Sequence, residues 1–316
     1  MTVGVRVTDR AAMKANEPLR RHTTLHVGGP ADWFLKIGAA DGDELLSHAL
    51  QWATAEGIAV TVIGGGSNVL AADAGVAGLV IKVLTPRPMI QIDLADPAAP
   101  IVTGHAGMLM SGFAEVCGER GLAGLEWAVG LPGTLGGAVA NNAGAHGSEM
   151  SASFLDATMI RFDGTPVIVT AADLAYAYRH SAIKDGTLQG ILTTIRVRLA
   201  PGDAAELHAR AVAYHDWRKT AQPQAASAGS MFQNPPGDAA GRLIEACGLK
   251  GLTIGQARVS PVHANFIVNL GKATATDVIA IGDHCRACVM ARFGIALQYE
   301  VQRIGRWETR EAGKND

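Results

Sequence analysis

Apolar residues recur along this chain in short alternating or continuous runs at 33–37, 60–63, 79–83, 101–104, 154–162 and 191–199. Runs of that length, bounded by glycine and polar clusters, predict β-strands. Helical spacing appears instead at 43–56, 109–120 and 204–218. Further on, the pattern predicts helices over 239–247 and 274–292 and strands over 265–269 and 296–304. In the 274–292 segment Val278, Ile281, Cys285, Val289 and Arg292 share one face, which is expected to lie on a small sheet. Strands and helices do not alternate regularly, so the pattern implies a mixed α+β protein rather than a βαβ series.

At 316 residues the chain exceeds one usual core. A break near 201 or 222 separates a larger N-terminal region from a smaller C-terminal one running to about 306, and 307–316 reads as a charged, frayed tail. The stretch 221–229 reads as a mobile loop. Hydrophobic residues make up 48% and charged residues 18%, and no apolar run reaches membrane-spanning length. The first ten residues lack the pattern of an export signal, so a cytoplasmic location is expected. A net charge of −2 and a pI near 6.5 argue against general nucleic-acid affinity. Cys285 and Cys288 form a lone CxxC without a second ligand pair, so they read as packing residues, and no metal is expected. No interface helix stands out, so a monomer is expected.

Glycine is the compositional oddity, with 38 residues concentrated in a few loops. Gly64-Gly65-Gly66-Ser67-Asn68 follows the 60–63 strand, where an α/β fold offers backbone N–H groups to an anion such as a diphosphate. A plain tight turn would explain those five residues about as well. More particular is Gly130-Leu131-Pro132-Gly133-Thr134-Leu135-Gly136-Gly137-Ala138, which continues to Asn141-Asn142-Ala143-Gly144-Ala145-His146-Gly147. So many small residues let a planar ring and phosphates lie against the main chain, with Asn141 and Asn142 offered to ring edges or pyrophosphate. Neither GxGxxG nor GxxxxGK[ST] occurs in these loops.

Those loops, with Thr23-Thr24-Leu25-His26-Val27-Gly28-Gly29-Pro30-Ala31 and Tyr178-Arg179-His180-Ser181, resemble the bacterial UDP-N-acetylenolpyruvoylglucosamine reductases. The likeness continues through Gly229-Ser230-Met231-Phe232-Gln233-Asn234-Pro235, the stretch from His263 to Asn269, and Leu297-Gln298-Tyr299-Glu300-Val301, spanning about 21–305. It implies a two-part FAD-binding region of the vanillyl-alcohol-oxidase (PCMH) type over 1–200, with subdomains of about 1–84 and 85–200. A substrate domain is then expected at 201–306. It also implies a cytoplasmic flavoenzyme of cell-wall precursor synthesis, using NADPH as co-substrate to reduce UDP-N-acetylglucosamine enolpyruvate to UDP-N-acetylmuramate.

By the same resemblance Ser230 is the proton donor, Glu300 assists at the same carbon and Arg179 stabilises the developing enolate. Arg218, Asn234 and Tyr178 would contact substrate, with Arg218 on the UDP diphosphate. FAD would lie along Gly64, Gly65, Gly66, Ser67 and Asn68 in the first loop. In the second it would meet Gly130, Pro132, Gly133, Thr134, Gly136, Gly137, Asn141, Ala143 and Gly144. Ser67-Asn68 stands where related oxidases carry a flavin-linking histidine, so the FAD is expected to be non-covalent. His22 and Tyr299 depart from the usual Asn and Pro. The short spacing from Arg198 to Ser230 implies the shorter family form, without an extra tyrosine-bearing loop. An FAD-linked oxidase of a hydroxy acid or sugar would explain the N-terminal half equally well, but not the motifs of Ser230, Asn234 and Glu300. Those residues and Arg179 also argue against a catalytically idle nucleotide-sugar sensor.

Overall fold

The computed structural model describes residues 12–38, 40–85 and 90–307; the expectations for the first ten residues and for the tail beyond 307 lie outside them. The chain divides into two compact units that are discontinuous in sequence. Apart from the N-terminal residues to 14, the first comprises Phe34–Ser67 and Leu79–Gln224; the second comprises Ala15–Trp33, Asn68–Gly78 and everything from 225 on.

The first unit is built on a five-stranded antiparallel sheet. Its order is Pro166–Thr170, Phe154–Ile160, Ile191–Arg198, Ile101–His105 and Ile90–Asp93. Helices Met110–Glu119 and Leu135–Asn141 face it, and Phe113 and Leu135 are fully buried. A Cβ added at Gly104 would lie 2.7 Å from the Phe113 ring and 3.2 Å from Leu135 Cδ2, so the glycine lets both side chains press onto the strand. Elsewhere in the unit, Val60–Ile63 runs parallel to the Leu79–Lys82 stretch of its neighbour, in the register Val60↔Leu79 to Ile63↔Lys82. The helix Ala204–Ala221 also belongs here; Asp203 caps it by accepting from the N–H groups of Ala205 and Glu206.

In the second unit an antiparallel sheet of order Ser227–Ser230, Phe266–Asn269, Ala257–Val259 and Thr253–Ile254 meets helices Ala240–Ala246 and Ala275–Phe293. Val278, Ile281, Cys285 and Val289 are buried on one side of the long helix, as their spacing predicts, and enter one apolar cluster with Leu25, Val27 and Leu70 from distant segments. Thr274 and Asp277 form a capping box. Asp73 adds a second cap, accepting from the N–H groups of Ala275 at 2.8 Å and Thr276 at 2.9 Å.

Two expectations are corrected. The strand predicted over 296–304 is only Gln302–Ile304, paired parallel to Val69–Ala71. Residues 298–300 are hydrogen-bonded to a different neighbour, 231–233, so the run changes partner midway. The stretch read as a mobile loop is tied down from 226 on: Asn269 N–H donates to Ala226 O, and Ser227–Ser230 joins the sheet.

Candidate active site

The glycines of the two loops serve each other. A Cβ on Gly65 would lie 2.8 Å from Gly133 Cα, and one on Gly64 would strike Thr134 Oγ1, so the two main chains lie face to face. Gly133, at φ +109°, adopts a conformation that L side chains rarely reach. Ser67 Oγ donates to Pro132 O at 3.2 Å. Thr134 caps the helix that follows, accepting from Gly137 N–H. Gly64, Gly65, Gly133, Gly136, Gly137 and Gly144 remain half-buried, and Gly66 is buried. Glycine was read as room for a ligand, and loop-to-loop contact now explains part of that demand. Neither 64–68 nor 130–147 carries a carboxylate, so nothing in them repels a diphosphate.

Asn141 and Asn142 part company. Asn142 is fully buried; its Nδ2 donates to Ala177 O at 3.0 Å and its Oδ1 accepts from Ser151 N–H at 3.0 Å. The ligand contact expected of it is therefore replaced by a structural one. Asn141 is half-buried and donates to Gly137 O within its own helix. Arg179, at φ +54°, donates from Nη2 to Gly144 O at 2.6 Å, and its guanidinium lies 5.2 Å from the centre of the Tyr178 ring. Tyr178 is 49% exposed. Ala143 is half-buried beside these groups.

Along the helix Ala204–Ala221, His215 Nδ1 sits where a Cβ of Gly130 would be, at 2.5 Å. His146 stacks on Tyr214 with ring centres 4.0 Å apart and meets Trp217 edge-on. Arg218 is half-buried, and its Nε and Nη2 are inaccessible to solvent and have no hydrogen-bond partner among the described residues. Burial pushes its pKa down from the ordinary arginine value, and burial followed by the Arg218 charge pushes that of His146 down. The first unit thus brings together Gly64–Ser67, the second glycine loop, Tyr178, Arg179 and Arg218.

In the second unit, Ser230 ends its strand opposite Phe266 and is half-buried. Just beyond it the chain locks onto the segment of Glu300: Glu300 N–H donates to Met231 O at 2.9 Å, Phe232 bridges Tyr299, and Gln233 N–H donates to Gln298 O at 2.9 Å. Glu300 is therefore hydrogen-bonded to the residue that follows Ser230. Asn68 Nδ2 donates to Glu300 O at 3.2 Å, so the last residue of the first glycine loop holds the glutamate's main chain. Asn234 Oδ1 accepts from Ala240 N–H at 3.0 Å, which commits one end of that amide to a helix N-terminus. The tyrosine found in place of the usual proline, Tyr299, donates to Asp283 Oδ1 at 2.7 Å. Asn265, which sequence reasoning quoted within a motif but gave no task, bonds to Phe232 through both ends of its side chain. Among the described residues no group of three or more His, Cys, Asp or Glu side chains could hold a metal, and no helix is long and apolar enough to cross a membrane.

Comparison with known proteins places both regions. Residues 39–170 match the family model described as FAD binding domain, and 222–304 match UDP-N-acetylenolpyruvoylglucosamine reductase, C-terminal domain. The FAD match falls on the α+β region for which the resemblance implied a vanillyl-alcohol-oxidase type fold, and it identifies FAD as the cofactor. UDP-N-acetylenolpyruvoylglucosamine reductase 2 of Symbiobacterium thermophilum is 40% identical over 95% of this chain and 94% of its own. The reductase of Rubrobacter xylanophilus is 42% identical over 93% and 96%. The crystal structure of the Thermus caldophilus reductase superposes with a TM-score of 0.77 at 34% identity, covering 92% of this chain and 99% of that one. At 40% and 42% identity to these reductases over nearly its whole length, the chain belongs to the UDP-N-acetylenolpyruvoylglucosamine reductase family.

Proposed function

We propose that this chain reduces UDP-N-acetylglucosamine enolpyruvate to UDP-N-acetylmuramate at the expense of NADPH, in the cytoplasm and as a monomer, as a step of peptidoglycan precursor synthesis. FAD, when bound, supplies the redox relay that accepts hydride from NADPH and delivers it to the enolpyruvyl methylene carbon. The observation that carries the reading is the interlock of 231–233 with 298–300, which puts Ser230 and Glu300 on neighbouring strands of main chain.

Hydride addition at the methylene end drives electron density onto the adjacent carbon and the carboxylate oxygens. Ser230 then gives its hydroxyl proton to that carbon, with Glu300 assisting, and solvent restores the serine. Arg179 answers the charge on the oxygens; its bond to Gly144 O fixes the guanidinium beforehand, so less is lost on ordering it. Arg218 suits a diphosphate, because a desolvated guanidinium with open N–H groups gains most from an anion. Asn234 has its amide nitrogen to offer substrate, and Tyr178 an exposed ring.

FAD is held without a covalent bond by 64–68 and by Gly130, Pro132, Gly133, Thr134, Gly136, Gly137, Asn141, Ala143 and Gly144. The cofactor region is assigned to 1–200, as subdomains 1–84 and 85–200, and the substrate region to 201–306. The helix Ala204–Ala221 occupies most of the interval between Arg198 and Ser230, which supports the shorter family form.

The test is anaerobic. NADPH should bleach the flavin absorbance of the purified protein, and the UDP-sugar enol ether should restore it. A Ser230→Ala enzyme should bleach normally and recover roughly 10²- to 10⁴-fold more slowly. A wild-type flavin that bleaches and does not recover on substrate removes the reading.

A further inference from the structure

We infer that Asn265 is a positioning residue for Ser230, acting through the main chain of Met231 and Phe232; this rests on the reading of Ser230 as proton donor. Asn265 is buried, at 3% exposure. Its Oδ1 accepts from Phe232 N–H at 3.0 Å, its Nδ2 donates to Phe232 O at 2.8 Å, and its own carbonyl accepts from Met231 N–H at 2.7 Å. One residue thus makes three hydrogen bonds to the two residues that follow Ser230.

What precedes Ser230 is irregular. The register shifts between Ser227 and Ser230, and Gly229 sits at φ +75°, so the strand arrives at the serine out of regular alignment. The direction of the hydroxyl therefore depends on the anchoring of the peptide units beyond it. There the carboxamide of Asn265 continues the ladder as though it were a further strand residue. Only a short amide offers a donor and an acceptor at that reach: aspartate lacks the donor, leucine lacks both, and glutamine is a methylene too long. Asn265 is itself anchored, since its N–H donates to His263 Nδ1 at 3.2 Å. The opposite side of the anchored stretch carries Glu300, through Glu300 N–H to Met231 O. The clamp therefore sets the serine and, at one remove, the glutamate.

Full-length, FAD-loaded Asn265→Ala and Asn265→Asp enzymes are compared with wild type and Ser230→Ala. Reduction by NADPH and reoxidation by the UDP-sugar are timed separately, and amide exchange is followed in the 229–235 peptide. In Asn265→Ala, reduction should keep its wild-type rate, reoxidation should slow roughly 10²-fold with little change in KM, and exchange at Met231 and Phe232 should accelerate. The Asn265→Asp side chain keeps the acceptor and loses the donor. Its reoxidation should therefore recover as acidification protonates the carboxyl and returns a donor to Phe232 O. This pH profile decides the matter even if Asn265→Ala fails to fold. Reoxidation at the wild-type rate in both variants, while Ser230→Ala is slow, overturns the inference; so does a parallel fall of both half-reactions. Failure of the reductase mechanism registers separately, as undiminished reoxidation in Ser230→Ala with Asn265 intact, and it removes the clamp's catalytic purpose as well.

Discussion

Arg218 shows how a side chain can be costly to the fold and useful to a ligand. Two of its guanidinium nitrogens are buried with no partner among the described residues, a condition that penalises the folded state until an anion arrives. Replacing it by methionine should leave the melting temperature unchanged or higher, since an unpaired desolvated charge is removed while the apolar stem is kept. The same change should raise KM for the UDP-sugar by about 10- to 100-fold, the worth of one or two hydrogen bonds to a charged group. A lower melting temperature with an unchanged KM would mean that Arg218 is structural. At this scale the sequence singled out residues such as Ser230 and Glu300 only through the motifs around them. It was silent on what each amide does. Asn141 and Asn142 are adjacent and chemically identical, yet Asn142 points inward to Ala177 and Ser151. Only the left-handed turn at Asn142, φ +43°, separates their fates.

Among elements, the strand runs and helical periods predicted the main pieces closely. The helix expected over 109–120 is Met110–Glu119, and that expected over 274–292 is Ala275–Phe293. Periodicity reports burial, so it did not reveal that 298–300 and 302–304 bond to different neighbours. Nor could it foresee Asp73 capping a helix that starts about two hundred residues later. The glycine loops were recognised as unusual, but their mutual contact was invisible in the sequence because it joins residues far apart in the chain. That contact has a direct consequence. A Gly65→Ala side chain must displace Gly133 Cα, which overpacks the loop at a cost of about 1–3 kcal/mol. The variant should melt earlier and lose FAD during gel filtration, read as a fall in the ratio of visible to ultraviolet absorbance. Wild-type melting with full flavin content would show that the loops yield to a methyl group.

For the molecule as a whole, acid is the expected weakness. His105 accepts the Gly107 N–H on Nδ1 at 3.0 Å, and His263 accepts the Asn265 N–H in the same way. Burial lowers the pKa of both, and of His146, below the ordinary histidine value. A folded-state pKa below the unfolded one means that the unfolded chain binds more protons as the medium acidifies. Stability should therefore be level above about pH 6.5 and fall below it, well before carboxylates titrate. Urea midpoints at pH 7.5 and 5.5 check this, and His105→Gln should flatten the dependence. Equal midpoints in the wild type would exclude it.

The discontinuous units set an order of events during synthesis. Leu25, Val27 and Leu70 belong to a core whose other members are supplied almost wholly by residues beyond 225. A nascent chain leaving the ribosome must carry those early apolar segments without their partners while some 200 further residues are made, roughly 10 to 40 s at bacterial elongation rates. During that interval the first unit has nearly all of its own sequence and can begin to close. The early segments of the second are the exposed, adhesive part of the polypeptide. Holdase chaperones that recognise short apolar stretches should therefore crosslink preferentially around 19–33 and 69–72 on stalled chains, and release them once the strand Gln302–Ile304 has emerged to pair with Val69–Ala71.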